Sequence, residues 1–166
     1  IQDNMNILTN AKNLLNDSID ELRAMSNDLL PNVLSELGLL EAIKQMLNYC
    51  SNKPNLSVTL INNMINQYEL NEKESVNIYR IIQEAVKNAI THSNAKNIEL
   101  ELSETTNEYL FQIRDDGKGF EPSNKKLYGN GLYNINERAN LINAKVQITS
   151  DNSHGSEIKI SKGKMK

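Results

Sequence analysis

Apolar side chains recur at intervals of three and four along residues 3–30, which predicts a helix with one long apolar stripe. We name this segment the N-terminal rod. Nothing adjacent in sequence could cover the stripe over its whole length. We therefore expect the rod to pack on another helix, from a second copy of the chain or from a further segment. The alternative is a rod that lies back on its own domain. Pro31 should end or bend the rod. The stripe consists of Ile7, Ala11, Leu14, Leu22, Met25 and Leu29.

A second helical pattern covers residues 80–94, which contain neither Gly nor Pro. At about 100° per residue one side of this helix is apolar, and the opposite side is polar. Glu84, Asn88 and His92 recur every four residues along the border between the two sides. An acid, an amide and an imidazole in such a row suit the wall of a cleft. A polar helix flank without chemistry would have the same spacing. The apolar side holds Ile78, Ile82, Ala85, Val86 and Ala89.

The remaining chain alternates between short strand patterns and helices. Asn71 followed by Glu74 resembles a capping box and should start the central helix. Other helices are predicted over residues 39–50 and 132–142. Period-two alternation predicts strands over residues 56–60, 98–102, 109–113, 146–148 and 158–160. This order favours an α+β fold: a two-layer sandwich with helices on one face of a mixed, mostly antiparallel sheet, preceded by a long helix.

Composition excludes several classes of function. A net charge of -3 argues against a nucleic-acid binder that works through a broad basic face. The single cysteine, Cys50, leaves no internal disulfide and no cysteine cluster for zinc. No apolar run approaches the roughly 20 residues of a membrane span, and no secretory signal pattern is present. We therefore expect a cytoplasmic fragment of a longer protein, without membrane contact of its own.

Two glycine-containing motifs follow the central helix. In the first, an acidic pair ends a strand and Gly117 and Gly119 come next, so that a ligand could approach the backbone closely. A buried carboxylate there, such as that of Asp115, could accept a hydrogen bond from an exocyclic amine. The second, residues 129–132, opens a helix whose N–H groups could bind phosphate. Each motif alone is weak, since Asp-Asp-Gly could be a mere turn.

The ordered set is more specific and resembles the GHKL, or Bergerat-fold, ATP-binding domain of histidine kinases, Hsp90, MutL and type II topoisomerases. The resemblance covers residues 38–161. It consists of an N box with Glu84 and Asn88, a G1 box over residues 115–119 and a G2 box over residues 129–132. Residues 155–156 look like the family's final Gly-Thr pair. Segments at residues 21–23, 29–31, 37–39, 79–85 and 137–139 resemble the nitrate-sensor and desaturase-sensor subgroup of sensor histidine kinases.

This resemblance implies roles for individual residues. Asp115 would accept the adenine amino group, and Asn88 would coordinate Mg²⁺ between the phosphates of ATP. Glu84 would hold or polarise a water bound to the metal. The glycines of the G1 box would let a lid over residues 118–130 swing. Further nucleotide contacts would come from His92, Gly129, Gly131, Leu132 and Ser156, with Lys125 or Lys126 as a source of positive charge.

Two positions depart from the subgroup. Thr91 stands where a lysine is common, so a cation contact there is in doubt, and Asn134 replaces a usual glycine, which would stiffen the lid. The subgroup's phosphate acceptor is a His-Asp pair on a helix before the rod, and neither His92 nor His154 fits that role. We therefore expect residues 1–37 to be the second helix of a dimerisation hairpin plus a linker, and residues 38–166 to be the catalytic domain.

Three functions stay open. The first is the catalytic region of a two-component sensor histidine kinase, which forms a homodimer through the rod and passes phosphate to the receiver domain of a response regulator. The second is a related ATPase or a serine-kinase anti-sigma factor, in which Glu84 activates water or a hydroxyl. The third is a nucleotide-binding or dimerisation module without turnover. The Leu-Leu-Pro and Leu-Gly-Leu segments after the rod favour the first.

Overall fold

A computed structural model of the chain describes residues 32–64, 69–120, 131–151 and 155–164. The N-terminal rod, the greater part of the predicted lid and His154 lie outside these residues. So do three of the predicted nucleotide contacts, Lys125, Lys126 and Gly129. No helix in the described ranges is both long enough and apolar enough to cross a membrane.

Four helices and five strands occur in the described residues. In chain order they are α1 (Asn32–Leu37), α2 (Leu39–Ser51), β1 (Ser57–Asn62), α3 (Glu72–His92), β2 (Asn97–Glu104), β3 (Glu108–Asp115), α4 (Gly131–Leu141), β4 (Ala144–Asp151) and β5 (Gly155–Gly163). Every strand and helix predicted within the described residues is present. Helix α1 is an addition to the sequence prediction, which expects a linker at these residues.

The five strands form one sheet in the order β1-β2-β3-β5-β4. Strands β1 and β2 run parallel, with α3 as their connection, and the other three pairs are antiparallel. The predicted α+β class with a mixed, mostly antiparallel sheet is therefore confirmed. Asp115 at the end of β3 lies opposite Ser156 near the start of β5, because of the register between these strands.

The core lies between one face of the sheet and the helices. Helix α2 contacts β1, α3 contacts β3, and α4 contacts β4. Successive strand residues point to opposite faces, so that one set meets the helices and the other, richer in charge, faces outward. Residues completely shielded from solvent come from helices and strands alike: Ile43, Ile78, Ile81, Ile82, Leu100, Leu102, Phe111, Ile135 and Ile160.

The core extends to Leu34 on α1, which lies before the predicted domain boundary at residue 38. Between α1 and α2, Gly38 has a φ of 83°, a left-handed conformation that glycine adopts at little steric cost. The apolar spacing of α1 is too short to reveal a helix, because six residues span fewer than two turns. Helix α1 packs against α2 and α3, and these contacts stabilise it where its own short sequence does not.

The start of α3 is fixed by a capping box and by a buried ion pair. The Asn71 side chain accepts from the Glu74 N–H at 2.9 Å, and the Glu74 carboxylate accepts from the Asn71 N–H at 3.1 Å. The same carboxylate lies 2.9 Å from Nζ of Lys162 on β5, and each side chain is only 10% exposed. Glu74 therefore caps the N-terminus of α3 and also binds the helix to the sheet.

We predict that Glu74→Gln lowers the free energy of unfolding by about 3 kcal/mol, because glutamine keeps the cap but leaves the Lys162 ammonium buried without its counter-charge. The exposed pair of Lys44 and Glu41 provides the control, since Lys44→Ala should cost less than about 0.5 kcal/mol. Urea unfolding measures both. If the free energy of unfolding falls equally in the two variants, the buried ion pair stabilises the protein no more than the exposed one does.

Candidate functional site

A cleft lies where the last turns of α3, the segment after β3, the start of α4 and the start of β5 come together. The space between its lining atoms is about 410 Å³, a volume that includes open solvent. The lining residues are Asn88, Ala89, His92, Ser93, Asp115, Gly119, Phe120, Leu132 and Ser156. Six of these, from four separate segments, were singled out from the sequence.

The polar row of α3 occupies the border position that its spacing predicts. Glu84 and Asn88 are half-buried and His92 is exposed, while Ala85 and Ala89, which directly follow the first two, belong to the core. Within the described ranges, none of these three side chains has a hydrogen-bonding partner. Polar groups at a cleft that have no partner among the described residues can bind a ligand. Asn88 and His92 line the cleft, whereas Glu84 is not a lining residue and lies beside Gly131. For Asn88 and His92 this placement favours a cleft wall over an inert helix flank.

The carboxylate of Asp115 is buried and held from two sides. Its Oδ1 accepts from the Gly117 N–H at 2.9 Å, and its Oδ2 accepts from the hydroxyl of Ser156. Only 9% of the residue is exposed. Each carboxylate oxygen has a further acceptor site. The side chain is thus oriented at the wall of the cleft and can still accept a hydrogen bond from a ligand.

The glycines after Asp115 are required by close packing. A Cβ on Gly117 would lie 2.3 Å from the Ser93 hydroxyl, and a Cβ on Gly119 would lie 1.8 Å from the carbonyl oxygen of Asp151. Gly119 also has a φ of 65°. The sequence prediction gave both glycines a hinge role, and the structure gives them a steric one. Close approach keeps the turn in contact with the end of α3 and with β4.

The N-terminus of α4 meets the polar row of α3. Gly131 is the first residue of α4, and a Cβ on it would lie 2.5 Å from Oε1 of Glu84 and 3.3 Å from Nδ2 of Asn88. The first N–H groups of a helix have no intrahelical partner and attract anions. An acid, an amide and a helix N-terminus therefore meet at one place. Leu132, the next residue, lines the cleft with its apolar side chain.

Sequence reasoning missed part of the site. Ser93, Ala89 and Phe120 line the cleft, and none was proposed as a site residue. Ser93 directly follows His92, but its importance comes from Gly117, which packs on it from a distant part of the chain. Asp116, the second residue of the acidic pair at the end of β3, lies outside the cleft and binds the start of β2.

The described residues do not bring three His, Cys, Asp or Glu side chains together as a metal site. A divalent cation near Asn88 and Glu84 would therefore need further oxygen ligands from a bound substrate and from water. Mg²⁺ is commonly bound in this way, through one or two protein oxygens plus substrate phosphates. The side chains present fit that mode of binding.

The sequence of this chain is similar to those of known ATP-binding proteins. Residues 73–164 match the family described as histidine kinase-, DNA gyrase B- and HSP90-like ATPase. The oxygen sensor histidine kinase NreB of Staphylococcus carnosus is 32% identical over 158 residues. That similarity covers 93% of this chain but only 45% of the length of NreB.

Solved structures share the fold at low sequence identity. The histidine kinase domain of the blue-light activated kinase EL346 from Erythrobacter litoralis is 16% identical, with a TM-score of 0.62 over 74% of this chain and 58% of that one. The ATP-binding domain of PrrB from Mycobacterium tuberculosis is 14% identical, with a TM-score of 0.60 over 76% of this chain and 93% of that one.

We predict that Gly117→Ala lowers the free energy of unfolding by about 2 kcal/mol, because the new methyl group overlaps Ser93 and forces the turn away from α3. Gly163→Ala is the matched control. A Cβ there meets no atom within 4 Å, and the change should stay within about 0.5 kcal/mol. Denaturant unfolding compares the two. If Gly117→Ala is as stable as the control, the close contact with Ser93 does not hold the turn.

Proposed function

The chain belongs to the family of histidine kinase-, DNA gyrase B- and HSP90-like ATPases, and from this premise we propose that it is the ATP-binding catalytic region of a two-component sensor histidine kinase. The observation that carries the proposal is the convergence in one cleft of the buried Asp115 carboxylate and the Asn88 side chain, which has no hydrogen-bonding partner among the described residues, with Glu84 next to Asn88. The similarity to NreB along 93% of the chain supports a kinase over other members of the family.

The apolar part of the cleft lining suits an adenine ring. Ala89 and Phe120 provide apolar surface for the faces of a flat base, whereas Leu132, next to Gly131, is proposed to line the phosphates. Asp115 supplies an acceptor, and the hydroxyl of Ser156 and the N–H of Gly117 hold it in one orientation. A carboxylate can only accept a hydrogen bond, so the pairing favours a base with an exocyclic amine. We propose that Asp115 binds the adenine amino group.

The place where Asn88, Glu84 and the start of α4 meet suits the phosphates. Asn88 offers an amide oxygen to a metal and Glu84 a carboxylate to a metal-bound water, while the N-terminus of α4 provides N–H groups for phosphate oxygens. When bound, Mg²⁺ would neutralise the negative charge of the phosphates. His92, exposed at the end of α3, is proposed as a phosphate contact. The same proposal extends to Lys125, Lys126 and Gly129, which lie outside the described residues.

The proposed reaction moves the γ-phosphoryl group of ATP to a histidine nitrogen. The bond from the γ-phosphorus to its bridging oxygen breaks, a phosphorus–nitrogen bond forms, and ADP leaves. The protein contributes mainly position and charge stabilisation. His92 belongs to the cleft itself, so we propose that the acceptor lies on another segment, within a homodimer assembled through the N-terminal rod. A receiver aspartate of a response regulator would then take the phosphoryl group, in the cytoplasm.

Glu84 is compatible both with the kinase and with the second candidate, an ATPase. A half-buried carboxylate beside the phosphate end of the cleft could activate water as well as orient a metal-bound water. Hydrolysis would release free phosphate, whereas transfer to histidine gives an acid-labile phosphoprotein. The two functions therefore differ in product with the same nucleotide site.

We predict that the protein binds ATP in the presence of Mg²⁺ and that Asp115→Asn weakens binding roughly tenfold or more, because the amide replaces a charged acceptor. Asn88→Ala should abolish most of the Mg²⁺ dependence. Asn48→Ala, an exposed change on α2, is the matched control and should bind as the wild type does. Calorimetry measures all four proteins. Unchanged affinity of Asp115→Asn would remove the adenine assignment.

We further predict that the chain does not label itself with ATP but phosphorylates a supplied partner. That partner is a longer form of the protein, which carries the upstream helix and has Asn88 replaced by alanine, so that it cannot use ATP itself. Acid-labile label should be found on the partner alone. Label on the shorter chain would refute the separate acceptor. Free phosphate that depends on Glu84, with no labelled protein, would favour the ATPase instead.

A further inference from the structure

Asp116, the residue after the buried carboxylate, makes hydrogen bonds that the proposed nucleotide site does not use. Its side chain is exposed and does not line the cleft. Its Oδ1 accepts from the N–H groups of Lys96 and Asn97, each at 2.8 Å, and its Oδ2 accepts from the Asn97 side-chain amide at 2.7 Å. An exposed aspartate that merely kept the surface soluble would have no need of three donors.

These donors belong to Lys96, directly before β2, and to Asn97, the first residue of β2. The N–H of Asp116 also donates to the Asn97 carbonyl at 3.2 Å, so that the contact between Asp116 and Asn97 is reciprocal. The carbonyl of Lys96 in turn accepts from the Ser57 N–H of β1 at 2.8 Å. The Asp116 carboxylate is therefore bound, through the backbone N–H groups of Lys96 and Asn97, to the sheet at β1 and β2 and not to a free loop.

The turn has two further attachments. The Lys118 N–H donates to the Ser93 carbonyl at 2.8 Å, at the end of α3, and Gly117 packs on the same serine. Hydrogen bonds from Asn97, first from its backbone N–H and then from its side-chain amide, lower the pKa of Asp116, so that the carboxylate stays charged. Charge-assisted hydrogen bonds of this kind are roughly twice as strong as neutral ones.

We propose that Asp116 is a positioning residue for base recognition: its hydrogen bonds to Lys96 and Asn97 hold the turn in which Asp115 faces the base. This inference rests on the proposed nucleotide site. Asp115 lies at the last position of β3, and the turn that follows must reverse at once so that the Gly117 N–H can reach its carboxylate. Asp116 sits between those two groups. Without its contacts the turn would exchange among conformations, and a preorganised acceptor would be lost.

The test separates a loss of base recognition from a general loss of binding. It compares ATP with purine riboside triphosphate, which lacks the exocyclic amine, and calorimetry gives both dissociation constants. For Asp116→Ala we expect ATP affinity to fall about tenfold, towards that of the analogue, while the affinity for the analogue changes less than about twofold. Glu36→Ala, an exposed change on α1 that removes the same charge, is the matched control.

A double-mutant comparison shows whether Asp116 acts through Asp115. In an Asp115→Asn background, Asp116→Ala should leave the ratio of the two dissociation constants unchanged, because the acceptor that it positions is already gone. Asn97→Ala, which removes one of the three donors and keeps both backbone bonds, should lower the ratio only partly. Asp116→Asn, which keeps an oxygen acceptor, should restore part of the preference lost in Asp116→Ala.

Four results decide the matter. If the wild type binds neither nucleotide, the proposed function itself is wrong. If the wild type binds both equally, the adenine assignment of Asp115 is wrong, and the positioning role of Asp116 is refuted with it. If the wild type prefers ATP and Asp116→Ala keeps that preference, the positioning role is wrong and the site remains. If Asp116→Ala weakens both nucleotides equally, Asp116 supports the fold alone, and the positioning role is again refuted.

Discussion

The Asp115 carboxylate accepts hydrogen bonds from the Gly117 N–H and the Ser156 hydroxyl, and this pair of contacts determines how the cleft is built. A carboxylate with so little exposure must be satisfied, since an unpaired buried charge is costly. The first donor requires a tight turn directly after β3. The second requires that β5 begin beside the end of β3. The register that pairs Asp115 with Ser156 meets the second requirement.

Helix α3 places the rest of the site. One side of the helix is buried against the sheet, so its orientation about its axis is set by packing, and the residues on the border of that side must face the cleft. The capping box and the ion pair of Glu74 and Lys162 fix the N-terminal end of the helix. Ser93 fixes the other end to the turn after Asp115. A rigid frame of core residues thus positions polar groups that themselves add little to the core.

Much of this could be predicted from the sequence, because periodicity and caps are local signals. The spacing of Ile78, Ile82 and Val86 shows the buried side of α3, and the Asn71–Glu74 pair gives its start. Alternation gives the strands, and the ordered glycine motifs suggest the cleft. The roles of Ser93 and Asp116 could not be predicted. Their partners, Gly117 and Asn97, are about 20 residues away in sequence and become neighbours only in the folded sheet. The same holds for the parallel pairing of β1 with β2, and for α1, whose packing on other helices stabilises it.

The central claim is that a buried carboxylate recognises the amino group of an adenine nucleotide in this cleft. The most direct test is the affinity of the wild-type protein for ATP and for N6,N6-dimethyl-ATP, which keeps the ring and the phosphates but has no N–H at that position. Our account predicts that dimethylation weakens binding by roughly tenfold or more, since the Asp115 carboxylate loses its donor and meets two methyl groups. Equal affinity for the two nucleotides would contradict it.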